Sequence, residues 1–243
     1  INAKLSFIYG IDVMKDNIEN KLDGACSRYI NNKKDNSNTP NCIFVQGNSS
    51  ENIKSGDGII GTKYKEVNKA IFGMGPKDET KLGKGVYKQY GKGEHGFHIC
   101  SCQFAMHYFF KDKDILQKFM QNISELTRIG GYYIGTCYDG KTVFNMLKSK
   151  KKGDSITYYK QGSKIFEIVK QYDKETFDDE ITSVGYDIDV FESGTFLTLF
   201  GSVWAETQIP RNPEKAKSGF KTRVFKNILS EVKSFFKIHK NEN

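Results

Sequence analysis

Apolar and polar positions alternate with period two in one stretch, a segment of helical periodicity follows and a second short strand comes after it, and this order sets the expected architecture. Phe97, Ile99 and Ser101 fall on one side of a predicted strand and His98, Cys100 and Cys102 on the other, and the pattern stops at Gln103. From Lys113 to Arg128 the positions Ile115, Leu116, Phe119, Met120, Ile123 and Leu126 recur at helical spacing, which predicts a helix with one apolar stripe. Gly130-Gly131 is expected to close that helix, and Tyr132 to Thr136 to form the next strand. A strand, helix, strand unit implies a parallel sheet, whose ligands bind beyond the carboxyl ends of the strands. Gln103, His107 and Tyr108 stand at such an end.

The same reading extends along the chain. Leu5 to Asp12 predicts a strand ending on a carboxylate, followed by a helix from Lys15 to about Asn31 with Ile18, Leu22, Ala25, Cys26 and Tyr29 inward. An acidic residue at this kind of strand end can accept hydrogen bonds from ribose hydroxyls, and capping of the next helix is the alternative for Asp12. The polar stretch Lys33 to Asn41 reads as a loop and Cys42 to Gly47 as a buried strand. At its end Asn48 offers an amide to an adenine edge, though turn formation explains the same residue.

Residues 56–96 form a Gly- and Lys-rich insertion with one short predicted helix, Lys63 to Phe72. Within it Gly91-Lys92-Gly93-Glu94-His95-Gly96 spells GxGxxG, but it leads into a strand instead of following one, so a flexible basic loop is expected here and not a dinucleotide fingerprint. Downstream the pattern predicts a helix from Lys141 to Lys150 and a hairpin of Ser155 to Tyr159 with Lys164 to Lys170, turning at Gln161-Gly162. A strand from Tyr186 to Phe191 follows. Pro210 to Lys221 reads as a loop, Val224 to Val232 as a helix and Ser234 to His239 as a final strand, and Ser193 to Trp204 is ambiguous.

Composition narrows the class. At 243 residues the chain can bury a real core, and no apolar run approaches the length of a membrane span. A net charge of +8 points to a polyanionic partner, nucleic acid first, against the plain alternative of a solvated basic surface. The five cysteines are odd in number, sit mostly inside strand or helix patterns and lack zinc spacing, so reduced thiols, an intracellular setting and no metal are expected. The Asn48-Ser49-Ser50 and Asn122-Ile123-Ser124 glycosylation patterns carry little weight in that setting.

At this point two stretches are informative together. CSCQFAMHYFF (Cys100 to Phe110) followed by GGYYIGTCYDGKTVFNMLK (Gly130 to Lys148) resembles the messenger-RNA cap guanine-N7 methyltransferases, most closely the methyltransferase domains of large DNA virus capping enzymes. GIDVMKDNIENKLDGACSRY upstream, and KIFEIVKQYDKE with GYDIDVF downstream, fit the same pattern. The resemblance implies an α/β, Rossmann-like class I fold with a mostly parallel sheet flanked by helices. It also implies a single methyltransferase domain over residues 1–243 and transfer of a methyl group from S-adenosylmethionine to N7 of the cap guanosine. Carried onto matching positions, it makes Asp12 the ribose ligand, Asn48 the adenine-side ligand, and Gln103 and Tyr108 further cofactor contacts. His107, with Tyr108, falls where the family meets the guanine.

Three departures accompany the resemblance. The family's first strand and glycine loop are absent, which with the start at Ile1 leads to the expectation of a fragment. The adenine-side position is Asn48 where the family usually has Asp. Beyond Phe191, the run from Glu192 to Phe200 lacks the Glu that holds the guanine edge in the family. Capped or triphosphate-ended mRNA is the implied partner, and triphosphatase and guanylyltransferase domains on the same polypeptide and a stimulatory subunit stay open. Host cytoplasm or virion is expected for a viral source and nucleus for a cellular one. Two other functions fit the same residues: a non-catalytic cap-binding subunit, and a methyltransferase with a different acceptor.

Overall fold

The computed structural model describes residues 5–177 and 184–192, together with the backbone of two strands at 204–208 and 223–224. The expectations for Ser193 to Val203, for Pro210 to Lys221 and for the last helix and strand lie outside the described residues, apart from the short strand that includes Val224. Two compact units divide the chain, one drawing on Ile1–Cys100 and Gln117–Gly131 and the other on Ser101–Leu116 and Tyr132–Gln208.

In the first unit the strands predicted at Leu5 to Asp12 and Cys42 to Gly47 form as β1 (Phe7–Asp12) and β2 (Asn41–Gln46), paired in parallel with Asp12 opposite Gln46. One face of this pair supplies Tyr9, Ile11, Ile43 and Val45 to a core with Ile53, Ile59 and Phe72. Each such side chain contributes about 1.5–3 kcal/mol when fully removed from water.

The single helix expected after β1 is two helices, α1 (Lys15–Glu19) and α2 (Ala25–Asp35). Asn20 breaks it: its side-chain oxygen accepts the Leu22 N–H at 2.9 Å, a local bond that competes with the helical ladder. Leu22, expected inward, is consequently 88% exposed. The second helix also runs on into the stretch expected as a loop.

The insertion is more ordered than the expected loop, with α3 (Thr62–Ile71) and α4 (Glu79–Tyr87). The GxGxxG glycines do structural work within it. A Cβ on Gly93 would lie 2.9 Å from the Phe72 ring, and one on Gly96, at φ +78°, would lie 2.6 Å from the Arg128 nitrogen. Close packing therefore explains these glycines, in agreement with the rejection of a nucleotide fingerprint.

Strand β3 (Phe97–Cys102) stops before Gln103 as expected, and Ile99 within it is 45% exposed. Helix α5 (Lys113–Leu126) hands over directly to β4 (Thr127–Thr136), so Gly130-Gly131 lies inside the strand and does not cap the helix. Gly131 allows close approach: a Cβ there would sit 2.8 Å from the His98 carbonyl oxygen. The sheet order is β3-β4-β8-β9, with β8 (Trp204–Gln208) antiparallel to β4 and β9 (Arg223–Val224) antiparallel to β8.

In the second unit Asp139 caps α6 (Gly140–Leu147) by accepting the Thr142 N–H at 3.0 Å, worth about 1 kcal/mol. The predicted hairpin forms as β5 (Ser155–Lys160) and β6 (Ser163–Lys170), and β7 (Ile188–Glu192) adds antiparallel to β6. Gln161 and Gly162 both have positive φ, the turn that matches strand twist in a two-residue hairpin. Phe144, Leu147, Ile165, Phe166, Ile168 and Tyr172 form this unit's core. The α/β class is as expected. Beside the parallel pair β1–β2, the two-residue turn joins β5 and β6 as antiparallel neighbours. Among the described residues no helix is long and apolar enough to cross a membrane.

Candidate functional site

Asp12 ends β1 half-buried, and its carboxylate accepts the Met14 N–H at 2.8 Å and the Asn17 side-chain amide at 3.1 Å. Asp12 does not cap α1, whose N-cap residue is Met14. It ties the turn into α1, and it lines a cavity of about 460 Å³ with Gly10, Asp16, Asp23, Arg28 and Phe44 among its walls. Gly10 lets the Phe44 ring lie against the strand, since a Cβ there would sit 2.5 Å from it. Arg28 is the cation of this cavity. Sequence reading passed over it because one arginine on an exposed helix face carries no pattern.

Asn48 lies just past β2, half-buried, with its side-chain oxygen accepting the Ser50 N–H at 2.9 Å. The turn reading is therefore correct for the oxygen, and the amide NH₂ has no partner among the described residues. The loop that carries Asn48 is held from a distance. Asn122 of α5, only 4% exposed, accepts the Ile53 N–H at 2.9 Å and donates to the carbonyls of Ser49 and Glu51 at 2.9 and 2.7 Å. Buried Asn68 of α3 donates to the Ile53 carbonyl at 2.9 Å and accepts the Tyr9 hydroxyl at 2.6 Å. Side-chain amides thus pair the backbone of a buried loop that has no ladder of its own. Burial pushes the Tyr9 hydroxyl far above its ordinary value, so it stays protonated and donating. With its amide fully used, Asn122 is closed to glycosylation despite its Asn-Ile-Ser context.

In the second unit Gln103 is exposed and donates to the Ser101 hydroxyl at 2.8 Å and the Ile134 carbonyl at 3.5 Å, a tie from the end of β3 to β4. Phe104 follows with φ +54°, a left-handed conformation rare for an aromatic residue. It is held there by its N–H donating to the hydroxyl of buried Thr136 at 2.7 Å. Strain of this kind gathers at functional sites, and it presents the Phe104 ring 54% exposed beside Gln103.

His107 sits in a short 3₁₀ turn, Met106–Phe110, with its ring 4.4 Å from that of Tyr108 and 5.0 Å from that of Tyr138. Its Nδ1 is buried without a hydrogen-bond partner, and burial lowers the imidazole pKa, so the ring is neutral at pH 7. Tyr108 is 71% exposed. The second unit therefore gathers Gln103, His107 and Tyr108 at one strand end and adds Phe104 and Tyr138, which sequence reading did not single out. Tyr138 was hidden because it lies 31 residues along the chain, past the next strand.

The cysteines are poorly suited to nucleophilic chemistry. All five are free and half-buried, and burial raises their thiol pKa values, that of Cys102 to about 11. A protonated, packed thiol is a poor nucleophile.

Comparison with known proteins adds a consistent set of relatives. A family model described as mRNA (guanine-N(7))-methyltransferase domain matches residues 10–186. The "Probable mRNA-capping enzyme" of Acanthamoeba polyphaga mimivirus is 29% identical over 252 residues, spanning 100% of this chain and 20% of that protein. "mRNA cap guanine-N(7) methyltransferase 1" of Arabidopsis thaliana is 36% identical over 69 residues, 27% of this chain and 19% of the relative. The "mRNA cap guanine-N(7) methyltransferase" of Caenorhabditis briggsae is 36% identical over 70 residues, 26% of this chain and 18% of the relative. The chain thus matches about a fifth of the length of each.

Proposed function

The chain belongs to the mRNA (guanine-N(7))-methyltransferase family, and we propose that it transfers a methyl group from S-adenosylmethionine to N7 of the guanosine cap of mRNA. The observation that carries this reading is the family match across residues 10–186, which spans Asp12, Asn48 and the Gln103 to Tyr108 segment. The names of the relatives favour an enzyme over a non-catalytic cap-binding subunit. Both units are proposed to belong to one methyltransferase domain, with residues 56–96 as an insertion. Capped mRNA in an intracellular setting is the proposed partner.

Guanine N7 has a lone pair and no proton, so its methylation needs no general base. Alignment of nitrogen, methyl carbon and sulfur then supplies the rate, up to about 7–11 kcal/mol in favourable cases. In the first unit, Asp12 accepts hydrogen bonds from the ribose hydroxyls and Asn48 turns its free NH₂ to the adenine. Arg28 offers a guanidinium to an anionic group in the same cavity. In the second unit, Gln103 and Tyr108 are cofactor contacts, and His107 with Tyr108 receives the guanine. A neutral imidazole suits that role, because methylated guanine gains positive charge that an imidazolium would oppose.

Methyl transfer to a GpppA dinucleotide, against GTP and uncapped RNA, tests the acceptor, and methylation of either control at the dinucleotide's rate would refute the cap assignment. His107→Ala is expected to lose transfer while keeping most affinity for S-adenosylhomocysteine. Asp12→Ala is expected to weaken that affinity first, and unchanged binding would remove Asp12 from the site.

A further inference from the structure

We propose that the lysine- and tyrosine-bearing surface of the 56–96 insertion binds the single-stranded RNA that continues beyond the cap. The identity of the polyanion rests on the function proposed above. The surface itself stands on its own observations.

Residues 56–96 contain eight lysines against five carboxylates. Three of those carboxylates are engaged within the fold: Asp57 accepts the Ser55 hydroxyl at 2.7 Å, Asp78 caps α4 by accepting the Thr80 N–H at 2.9 Å, and Glu66 pairs with Lys69 at 2.9 Å. Glu79 and Glu94 are exposed. Lys77, Lys84, Lys88 and Lys92 are all exposed, and none makes a salt bridge among the described residues.

Their arrangement is not random. Gly83, at φ +74°, breaks α4, and from Lys84 helical geometry runs through Lys88. Lys84 and Lys88 are then one turn apart, with Tyr87 on the same side. The Lys77 ammonium lies 5.3 Å over the Tyr87 ring and 5.7 Å over the Tyr90 ring, and the Tyr90 hydroxyl donates to the Gly75 carbonyl. A lysine over two aromatic rings, beside further lysines one helical turn apart, combines what single-stranded nucleic acid requires: ammonium groups for phosphates and rings for bases. A lysine face without rings would fit any polyanion.

The test is fluorescence anisotropy of the full chain with an unstructured, uncapped 20-nucleotide RNA over a salt series. A K84A/K88A/K92A variant is compared with K148A/K151A/K160A, which removes the same charge from exposed lysines elsewhere. Loss of three phosphate contacts on a single strand lowers the slope of log K against log salt by about 2 and weakens binding about tenfold to a hundredfold near 0.1 M salt. Urea unfolding midpoints should match wild type, since the side chains are exposed. Methyl transfer to GpppA should be unchanged, while KM for a capped 20-mer rises. The proposal is overturned by an unchanged RNA slope, by equal losses in both triple variants, or by binding to phosphatidylserine vesicles in place of RNA. Absence of methyl transfer by the wild-type chain would instead refute the proposed activity and leave the anisotropy result readable.

Discussion

Replacing Asn122 by alanine removes three hydrogen bonds from a residue that is 4% exposed, and the loop it holds is the one that presents Asn48. A typical intramolecular hydrogen bond contributes about 0.5–1.5 kcal/mol net, and a buried donor left unpaired costs about 1–3 kcal/mol. The Ile53 N–H is that donor, at a residue with no exposed surface. The carbonyls of Ser49 and Glu51 lose one donor each, a smaller cost because an oxygen tolerates underuse better than an N–H does. The expected loss is about 3 kcal/mol. Asn122→Asp keeps the acceptor for Ile53 but loses both donors and places a carboxylate in the interior, so it should fall at least as far. Urea unfolding gives the global cost, and hydrogen exchange at the Ile53 amide reports the local one. Calorimetry with S-adenosylhomocysteine reads whether Asn48 has lost its position. An unfolding free energy within about 0.5 kcal/mol of wild type, with the Ile53 amide still protected, would refute the reasoning.

Two further outcomes follow from single residues. Gly96→Ala forces a left-handed φ on an L-residue and drives a Cβ against backbone, so stability should fall by about 2 kcal/mol or more, whereas Gly85→Ala, with open space around it and no positive φ, should be neutral or stabilising by up to about 1 kcal/mol; equal midpoints would contradict the packing account of the GxGxxG run. For His107, burial holds the folded pKa below the ordinary 6.5, so the unfolded chain takes up its proton first as pH falls. The contribution is present above about pH 6.5 and is lost as pH drops through the folded value, so wild type should lose more stability than His107→Gln between about pH 7 and about pH 5, and parallel pH curves would show the ring to be solvated.

What was legible in the sequence was local. Gln161-Gly162 specified its hairpin because turn chemistry acts over two residues, and Asp12 could be put at a strand end because the short, mostly apolar run from Leu5 reaches a carboxylate there. The split between α1 and α2 was not legible, since it depends on an Asn20 side chain choosing a backbone N–H over solvent. Gly130-Gly131 misled for a related reason: glycine after a helix usually marks its end, and here it serves close contact with β3. The site followed the same division. Gln103, His107 and Tyr108 lie within one short stretch and could be grouped, while Tyr138, Arg28 and Asn122 act across distances that no periodicity records.

The amide clamp on Ile53 has a kinetic side. Its bonds join residues 69 to 73 positions apart, so the turn at 48–53 cannot acquire its final shape until α5 has been made and has docked. Closing a chain segment of that length must precede any gain from the contacts. That turn should therefore set late, after the hairpin of β5 and β6 and the short helices, and a ribosome-bound chain ending before Asn122 should carry the 48–53 segment with its interior amides still open to water.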